Sequence, residues 1–166
     1  MPKVLVLFDD TDAVASTLGE SAAEGARAVR FTEVDVRVLA AAADSRRKPL
    51  ESPGALDQYD GVVFAAGNDS LTPALEDVLA ELAQASGLRF VNMVFGAATN
   101  DGKLAAELLS LGGIVVGQPL AGDDIGRARA LASRVAQVAS WVRHSLAHES
   151  AEAHSGHHQH GHHHAH

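Results

Sequence analysis

The chain has 166 residues, a formal net charge of −8, 46% hydrophobic residues and no cysteine. This length and composition suit one domain with a sizeable core, and the acidic balance argues against nucleic acid as a partner. The lack of cysteine excludes disulfides, thiolate zinc sites and cysteine nucleophiles. No apolar stretch is long enough to cross a bilayer, and no signal-peptide pattern precedes the first strand, so we expect no membrane association and a cytoplasmic location.

The first predicted strand, residues 4–8, is a continuous apolar run, which is typical of a strand buried on both faces of a parallel sheet. An acidic turn, Asp9-Asp10-Thr11-Asp12, follows it. A helix is then predicted over 12–28, where apolar residues recur every fourth position. Because open α/β sheets bind ligands at the carboxyl ends of their strands, this turn is the first candidate site.

The remaining chain continues the alternation of strands and helices. Residues 33–39 alternate between apolar and polar, which indicates a half-exposed edge strand, and 40–58 are predicted to be a long surface connection with a short helix. The later predicted elements are strands over 62–66, 88–95 and 114–117 and helices over 72–87, 101–111 and 123–146. Parallel strands joined by right-handed crossovers give a three-layer α/β/α sandwich.

Four segments of the chain, residues 3–8, 23–27, 59–64 and 108–120, carry a resemblance to a known family. The chain resembles flavodoxin-like proteins, and within them the NAD(P)H:quinone oxidoreductases of the tryptophan-repressor-binding-protein type. The resemblance covers a predicted domain of residues 1–148. It implies a five-stranded parallel sheet in the order 2-1-3-4-5, FMN at its carboxyl edge, reduction of quinones by NAD(P)H, and a homo-oligomer.

The resemblance also places three loops against FMN. Their matching residues in this chain are Thr11, Asp12, Ala13, Gly67, Asn68, Asp69, Ser70, Gly96, Thr99 and Asn100. In the family, the first loop is rich in serine, threonine and glycine, which lets backbone N–H groups close around the phosphate. In this chain the same loop is acidic, and no catalytic residue can be assigned.

The electrostatic consequence of the acidic loop can be estimated. A like charge about 4 Å from the phosphate costs roughly 1 kcal/mol in water and about 4 kcal/mol at an effective dielectric constant of 20. The attraction of a helix N-terminus for a negative charge is only about 0.3–1 kcal/mol. We therefore expect FMN binding to be weakened or lost, which leaves a small molecule or a metal ion as the partner. An active FMN-dependent NAD(P)H oxidoreductase is the alternative.

The acidic turn has three further interpretations. The carboxylates can cap the following helix, because aspartate is a preferred N-cap residue. Asp9, Asp10 and Asp12, joined by Asp69 or Ser70 from the neighbouring strand end, can instead supply oxygen ligands to Mg²⁺. The string Asp10-Thr11-Asp12 also matches the motif of Mg²⁺-dependent haloacid-dehalogenase-type phosphatases, although so short a string also arises by chance. A response-regulator receiver domain is excluded because no aspartate ends the third predicted strand and no lysine ends the fifth.

The composition changes after His148, and residues 149–166 are predicted to be a disordered, histidine-rich tail. The candidate metal ligands of this tail are His154, His157, His158, His160, His162, His163, His164 and His166. Imidazole suits nickel, zinc, copper and cobalt, so the tail predicts metal buffering. His144 and His148, one helical turn apart, could add a fixed pair. An expression tag is the alternative, although other residues interrupt the histidine run.

Overall fold

The computed structural model describes residues 1–67, 71–84, 90–99 and 102–155, and of residues 152–155 it describes the backbone alone. The strands are β1 (Lys3–Phe8), β2 (Glu33–Val38), β3 (Gly61–Ala65), β4 (Val94–Ala98) and β5 (Ile114–Val116). The α-helices are α1 (Ala13–Arg27), α2 (Pro73–Gln84), α3 (Gly102–Ser110) and α4 (Asp124–Ser155), and a 3₁₀ helix spans Pro53–Gln58.

The strands form one five-stranded parallel sheet in the order β2-β1-β3-β4-β5. This confirms the predicted strand order and the three-layer sandwich. Because β1 lies between β2 and β3, its carboxyl end sits where the connections leave the sheet in opposite directions. Such a position is where open α/β sheets bind ligands.

Side chains alternate between two buried cores, one on each face of the sheet. Val4, Val6 and Phe8 of β1 face the core that α1 and α4 cover, whereas Leu5 and Leu7 face the core on the side of α2 and α3. All five are fully buried. This double burial explains why the first strand is continuously apolar rather than alternating.

Helices α1 and α4 approach each other closely on their shared face of the sheet. A Cβ atom added to Gly25 would lie 2.0 Å from the carbonyl oxygen of Arg129. Ser133 Oγ also donates a hydrogen bond to the Gly25 carbonyl oxygen, at 2.7 Å. The absence of a side chain at Gly25 therefore lets α4 lie directly on α1, as small residues do at close helix crossings.

The prediction of a strand over 88–95 was wrong in its placement. The strand begins at Val94, and the Met93 N–H donates to the Phe90 carbonyl oxygen at 3.0 Å in the turn that precedes it. Phe90 and Met93 are buried even though they are not in the strand. Their apolar character therefore reflects packing under a turn, which periodicity alone does not distinguish from a buried strand.

The same shift places Gly96 inside β4, paired with Val63 of β3, rather than in a cofactor loop. A Cβ atom on Gly96 would lie 2.7 Å from a methyl group of Val135 on α4. Gly96 therefore serves the packing of α4 on the sheet, and its placement in a loop was wrong, while its predicted role in cofactor binding stays a prediction.

Helix α4 continues through Ser155, beyond the predicted domain boundary at residue 148. The first residues of the predicted disordered tail, 149–155, are therefore helical, while 156–166 lie outside the described residues. Alanine and glutamate are frequent in this stretch and have high helix propensity, so the helix needs no apolar period to continue. Within the described ranges, no helix combines the length and apolar character that crossing a membrane requires.

Candidate functional site

The candidate site lies at the carboxyl end of β1, where the turn of residues 9–12 leads into α1. Thr99, which follows β4, donates from its hydroxyl to the carbonyl oxygen of Gly67 at 3.4 Å. A Cβ atom on Gly67, which follows β3, would lie 2.4 Å from Asp12 Oδ2. The structure thus brings Asp12, Gly67 and Thr99 together at one edge of the sheet. The predicted site residues Asn68, Asp69, Ser70 and Asn100 lie outside the described residues.

Asp9 closes the turn on itself. Its side chain is buried, and Oδ1 accepts hydrogen bonds from the backbone N–H of Thr11 at 2.9 Å and from the Thr11 hydroxyl at 2.5 Å. The Asp9 carbonyl oxygen also accepts the N–H of Asp12 at 3.2 Å. This is the local hydrogen bonding by which aspartate side chains stabilise turns. Both polar groups that Thr11 would offer a ligand as donors are therefore already bound.

Asp12 is the N-cap residue of α1, which confirms the capping interpretation for this carboxylate. Its backbone is extended (φ −97°, ψ 111°), and Oδ1 accepts the N–H groups of Val14 at 2.9 Å and Ala15 at 3.3 Å. The first N–H groups of a helix have no partner within the helix and need one outside it. In this helix the protein itself supplies that partner, and the partner is negatively charged.

Asp10 is turned to the other side of the turn, where Arg47 neutralises it. Its carboxylate accepts the Ser16 hydroxyl and Arg47 Nη1, each at 3.0 Å, and only 6% of the Asp10 side chain is exposed. A hydrogen bond from Ser45, followed by the hydrogen bond from Ser16 and the charge of Arg47, lowers the pKa of Asp10 despite the opposing effect of burial. Asp10 is therefore an anion held in place by its own partners.

Arg47 lies in the connection after β2 and links that connection to α1. Its Nε donates to Glu20 Oε1 at 2.8 Å, its Nη2 also contacts Glu20, and its guanidinium carbon lies 5.4 Å from the centre of the Phe8 ring. The hydrogen bond to Glu20 raises the pKa of Arg47 further above its ordinary value, although burial opposes it. Local sequence patterns do not identify Arg47 as a residue of this site.

A signal that could have identified Arg47 is present in the sequence. Strand β2 is the parallel neighbour of β1, so the loop after β2 begins beside the acidic turn. The Asp10 N–H donates to the carbonyl oxygen of Ala40 in that loop at 2.9 Å. A basic residue in one loop and an acidic cluster in the adjacent loop predict an ion pair, once the two strands are known to be neighbours.

A cleft of about 790 Å³ lies between the start of α1 and the loop after β2. The residues that line it are Asp10, Thr11, Ala13, Ser16, Thr17, Ala42, Asp44, Ser45, Arg46 and Arg47. Two aspartates and two arginines give this lining no net charge, and three hydroxyl-bearing residues of the turn and α1 form one wall. Such a lining can hydrogen bond a polar molecule without favouring either charge sign.

The three carboxylates of the turn do not converge on a common point. Asp9 binds Thr11, Asp10 binds Ser16 and Arg47, and Asp12 caps α1. Across the described parts of the chain, no group of three or more histidine, cysteine, aspartate or glutamate side chains could hold a metal ion. The geometry therefore does not support the predicted Mg²⁺ site at Asp9, Asp10 and Asp12.

The phosphatase interpretation likewise gains no support. It needs Asp10 and Asp12 to act on one substrate together with an acidic residue from later in the chain, such as Asp123. Asp123 follows β5, which is an edge strand, and β3 and β4 separate β5 from β1. Asp123 Oδ1 accepts the N–H of Gly126 at 2.6 Å, so Asp123 caps the start of α4.

The turn does not fit an FMN phosphate as it stands. A phosphate needs free N–H groups at the helix start. The N–H groups of Thr11, Val14 and Ala15 are hydrogen bonded to Asp9 or Asp12, and that of Asp12 is bonded to the Asp9 carbonyl oxygen. Two carboxylates therefore occupy the position that a phosphate would need.

Comparison with known proteins supports the fold. No protein-family model matches the chain, and no curated protein sequence matches it. Among solved structures, a flavodoxin of Streptococcus pneumoniae TIGR4 is 14% identical with a TM-score of 0.60, and the match covers 81% of this chain and 98% of that one. A diflavin flavoprotein A3 from Nostoc sp. is 16% identical with a TM-score of 0.60, covering 89% and 97% of the two chains.

A short-chain flavodoxin associated with a bacterial microcompartment is also similar, at 12% identity and a TM-score of 0.61, with 84% of this chain and 99% of that chain covered. Together with the strand order, these similarities show that the chain has the flavodoxin-like fold.

Proposed function

We propose that this chain is a flavodoxin-fold binding protein, akin to the NAD(P)H:quinone oxidoreductases, in which affinity for FMN is weakened or lost. The observation that carries the proposal is the occupation of the α1 N-terminus by Asp9 and Asp12. A fold does not by itself specify a function. The choice between a flavin enzyme and a binding protein therefore rests on the residues of the site. In this site the protein's own carboxylates replace the anion.

The energetics favour the carboxylates over a phosphate. Arg47 pairs with both Asp10 and Glu20, so we count only the repulsion from Asp9 and Asp12, each costing about 1–4 kcal/mol for a charge about 4 Å away. A phosphate must also displace the carboxylates from these N–H groups, and its own hydrogen bonds to the N–H groups only replace the ones that are lost. The helix N-terminus returns only about 0.3–1 kcal/mol. These terms together oppose a dianionic ligand at the turn.

The cleft between the start of α1 and the loop after β2 suits a ligand other than FMN. Its two aspartates and two arginines balance, and the hydroxyl groups of Ser16 and Thr17 lie on its α1 wall. We infer that the ligand is a polar small molecule of low net charge, held mainly by hydrogen bonds. In this proposal the Asp10–Arg47 ion pair shapes the cleft by holding the loop after β2 against α1.

The test is a visible absorption spectrum of the full chain after incubation with excess FMN and removal of free flavin. We expect no stoichiometric flavin. The variant Asp9→Ser with Asp12→Thr keeps capping oxygens but removes both charges, and we expect it to bind FMN at least about tenfold more tightly than the parent. Asp44→Asn, which removes a charge from the cleft but not from the turn, is the matched control. Stoichiometric FMN bound to the parent chain would contradict the proposal and support the alternative, a flavin-dependent oxidoreductase.

The histidine-rich tail suggests a second role in metal buffering. His154, His157, His158, His160, His162, His163, His164 and His166 provide closely spaced imidazoles for nickel, zinc, copper or cobalt. Titration of Ni²⁺ into the full chain, and into a full-length variant with these residues changed to glutamine, tests this role. Equal metal uptake by the two chains would show that the tail histidines do not bind the metal.

A further inference from the structure

The last part of α4 stands clear of the sheet. The packed part of the helix ends near Arg143, which donates to Asp60 Oδ2 at 2.9 Å, and Leu146, which lines a small cleft beside Tyr59. Residues 147–151 are all exposed. This segment contributes nothing to either core, so its side chains are available for another purpose.

His144 and His148 are both exposed, lie one turn apart near this end of α4 and face each other. Their Nε2 atoms are 3.0 Å apart, and the ring centroids are 4.4 Å apart with the ring planes at 80°. Residues at i and i+4 share one side of a helix, so the backbone fixes the spacing of the two rings. Arg143, the adjacent cation, is turned toward Asp60, with its Nη1 atom 2.9 Å from Asp60 Oδ2.

We propose that His144 and His148 form a bidentate site for a divalent transition-metal ion of the Cu²⁺ or Ni²⁺ type. With metal–nitrogen bonds of about 2.0–2.1 Å, nitrogen atoms 3.0 Å apart subtend an angle of about 91–97° at the metal. This angle fits two adjacent positions of a square-planar or octahedral ion. A tetrahedral ion such as Zn²⁺ would need an angle of about 109°, and therefore nitrogens about 3.3 Å apart.

The chemistry of the pair is consistent with chelation. Each ring binds through the Nε2 lone pair, with its proton on Nδ1, and water fills the other coordination positions. The helix holds both nitrogens at high effective concentration, so the second bond forms with little further loss of freedom. This site consists only of described residues, and it does not depend on the proposed role of the tail or of the acidic turn.

The experiment uses a full-length parent in which the eight tail histidines are changed to glutamine, so that only His144 and His148 remain. Cu²⁺ alone is titrated against a competing chelator, and electron paramagnetic resonance counts the coordinated nitrogens. We expect one ion per chain with two imidazole nitrogens. His144→Gln and His148→Gln should each lower the affinity at least about tenfold, with the helical circular dichroism of the metal-free chains unchanged.

A matched control separates the geometry from the number of histidines. The variant His148→Gln with Glu149→His keeps two imidazoles but places them about 140° apart around the helix. We expect this variant to bind no better than His148→Gln alone. The proposal is overturned if the parent binds no Cu²⁺, if either single variant binds as tightly as the parent, or if the spacing variant does so. In those cases the two rings form only an imidazole–imidazole hydrogen bond.

Discussion

The Asp12 carboxylate accepts the backbone N–H of Val14 at 2.9 Å, so the first turn of α1 is capped by a charged side chain of the protein itself. Replacing Asp12 by alanine should lower the free energy of unfolding by about 1 kcal/mol, because the N–H groups of Val14 and Ala15 lose their partner. Asp12→Asn keeps the capping oxygen and should be nearly neutral. Urea unfolding measures both variants, and an equal loss in the two would refute a capping role.

The ion pair between Asp10 and Arg47 should make stability depend on acid pH. The folded protein lowers the pKa of Asp10, so its contribution is complete above the unfolded value of about 3.9 and is lost as the pH falls through the lower, folded value. Asp10→Asn should cost about 1–2 kcal/mol at pH 7 and flatten this acid loss. Asp44→Asn is the control, since Asp44 is an exposed residue of the same cleft. Identical pH profiles for the parent and Asp10→Asn would contradict the prediction.

Tyr59, the chain's single tyrosine, should ionise late. Burial, and then the hydrogen bond from its hydroxyl to Asp35 Oδ2 at 2.7 Å, raises the pKa of Tyr59 to about 12. The stability it contributes is present below the unfolded pKa of about 10 and is lost as the pH rises toward 12. Titration followed by tyrosinate absorbance should show a lower pKa in Asp35→Asn but not in the exposed-strand control Glu33→Gln. Ionisation of the parent near pH 10 would show that the buried contact is absent.

The close approach of α1 and α4 at Gly25 can be tested with one methyl group. Gly25→Ala would place a Cβ atom 2.0 Å from the Arg129 carbonyl oxygen, so the helices must separate. We expect a loss of about 1–3 kcal/mol in the free energy of unfolding. Gly54→Ala is the matched control, because its added Cβ meets Ser52 Oγ at an ordinary 3.6 Å. A thermal unfolding midpoint for Gly25→Ala equal to that of Gly54→Ala would rule out this crossing.

Much of the fold followed from local patterns in the chain. The apolar run of β1 predicts a strand buried on both faces, and Asp12 before an amphipathic stretch predicts a capped helix. These two predictions depend only on interactions within a few residues or on a single periodicity. The structure contains the buried strand and the capped helix. The resemblance added the strand order, which local patterns do not specify.

The misplaced and missed features have non-local causes. Phe90 and Met93 are buried in the core beneath a turn. Their spacing in the sequence is the same as that of apolar residues in a buried strand, so it does not distinguish the two structures. Arg47 reaches Asp10 across 37 residues, so its role appears only when the two loops lie side by side.

The central claim is that the protein's own carboxylates occupy the anion position at the start of α1, and the FMN-to-riboflavin affinity ratio tests it most directly. The two flavins differ only by the phosphate, so their ratio isolates the contribution of the turn. Titration of each flavin by fluorescence quenching at low salt, where charge repulsion is least screened, gives the ratio. We predict that FMN binds no more tightly than riboflavin, and binding of FMN at least about tenfold tighter would contradict the account.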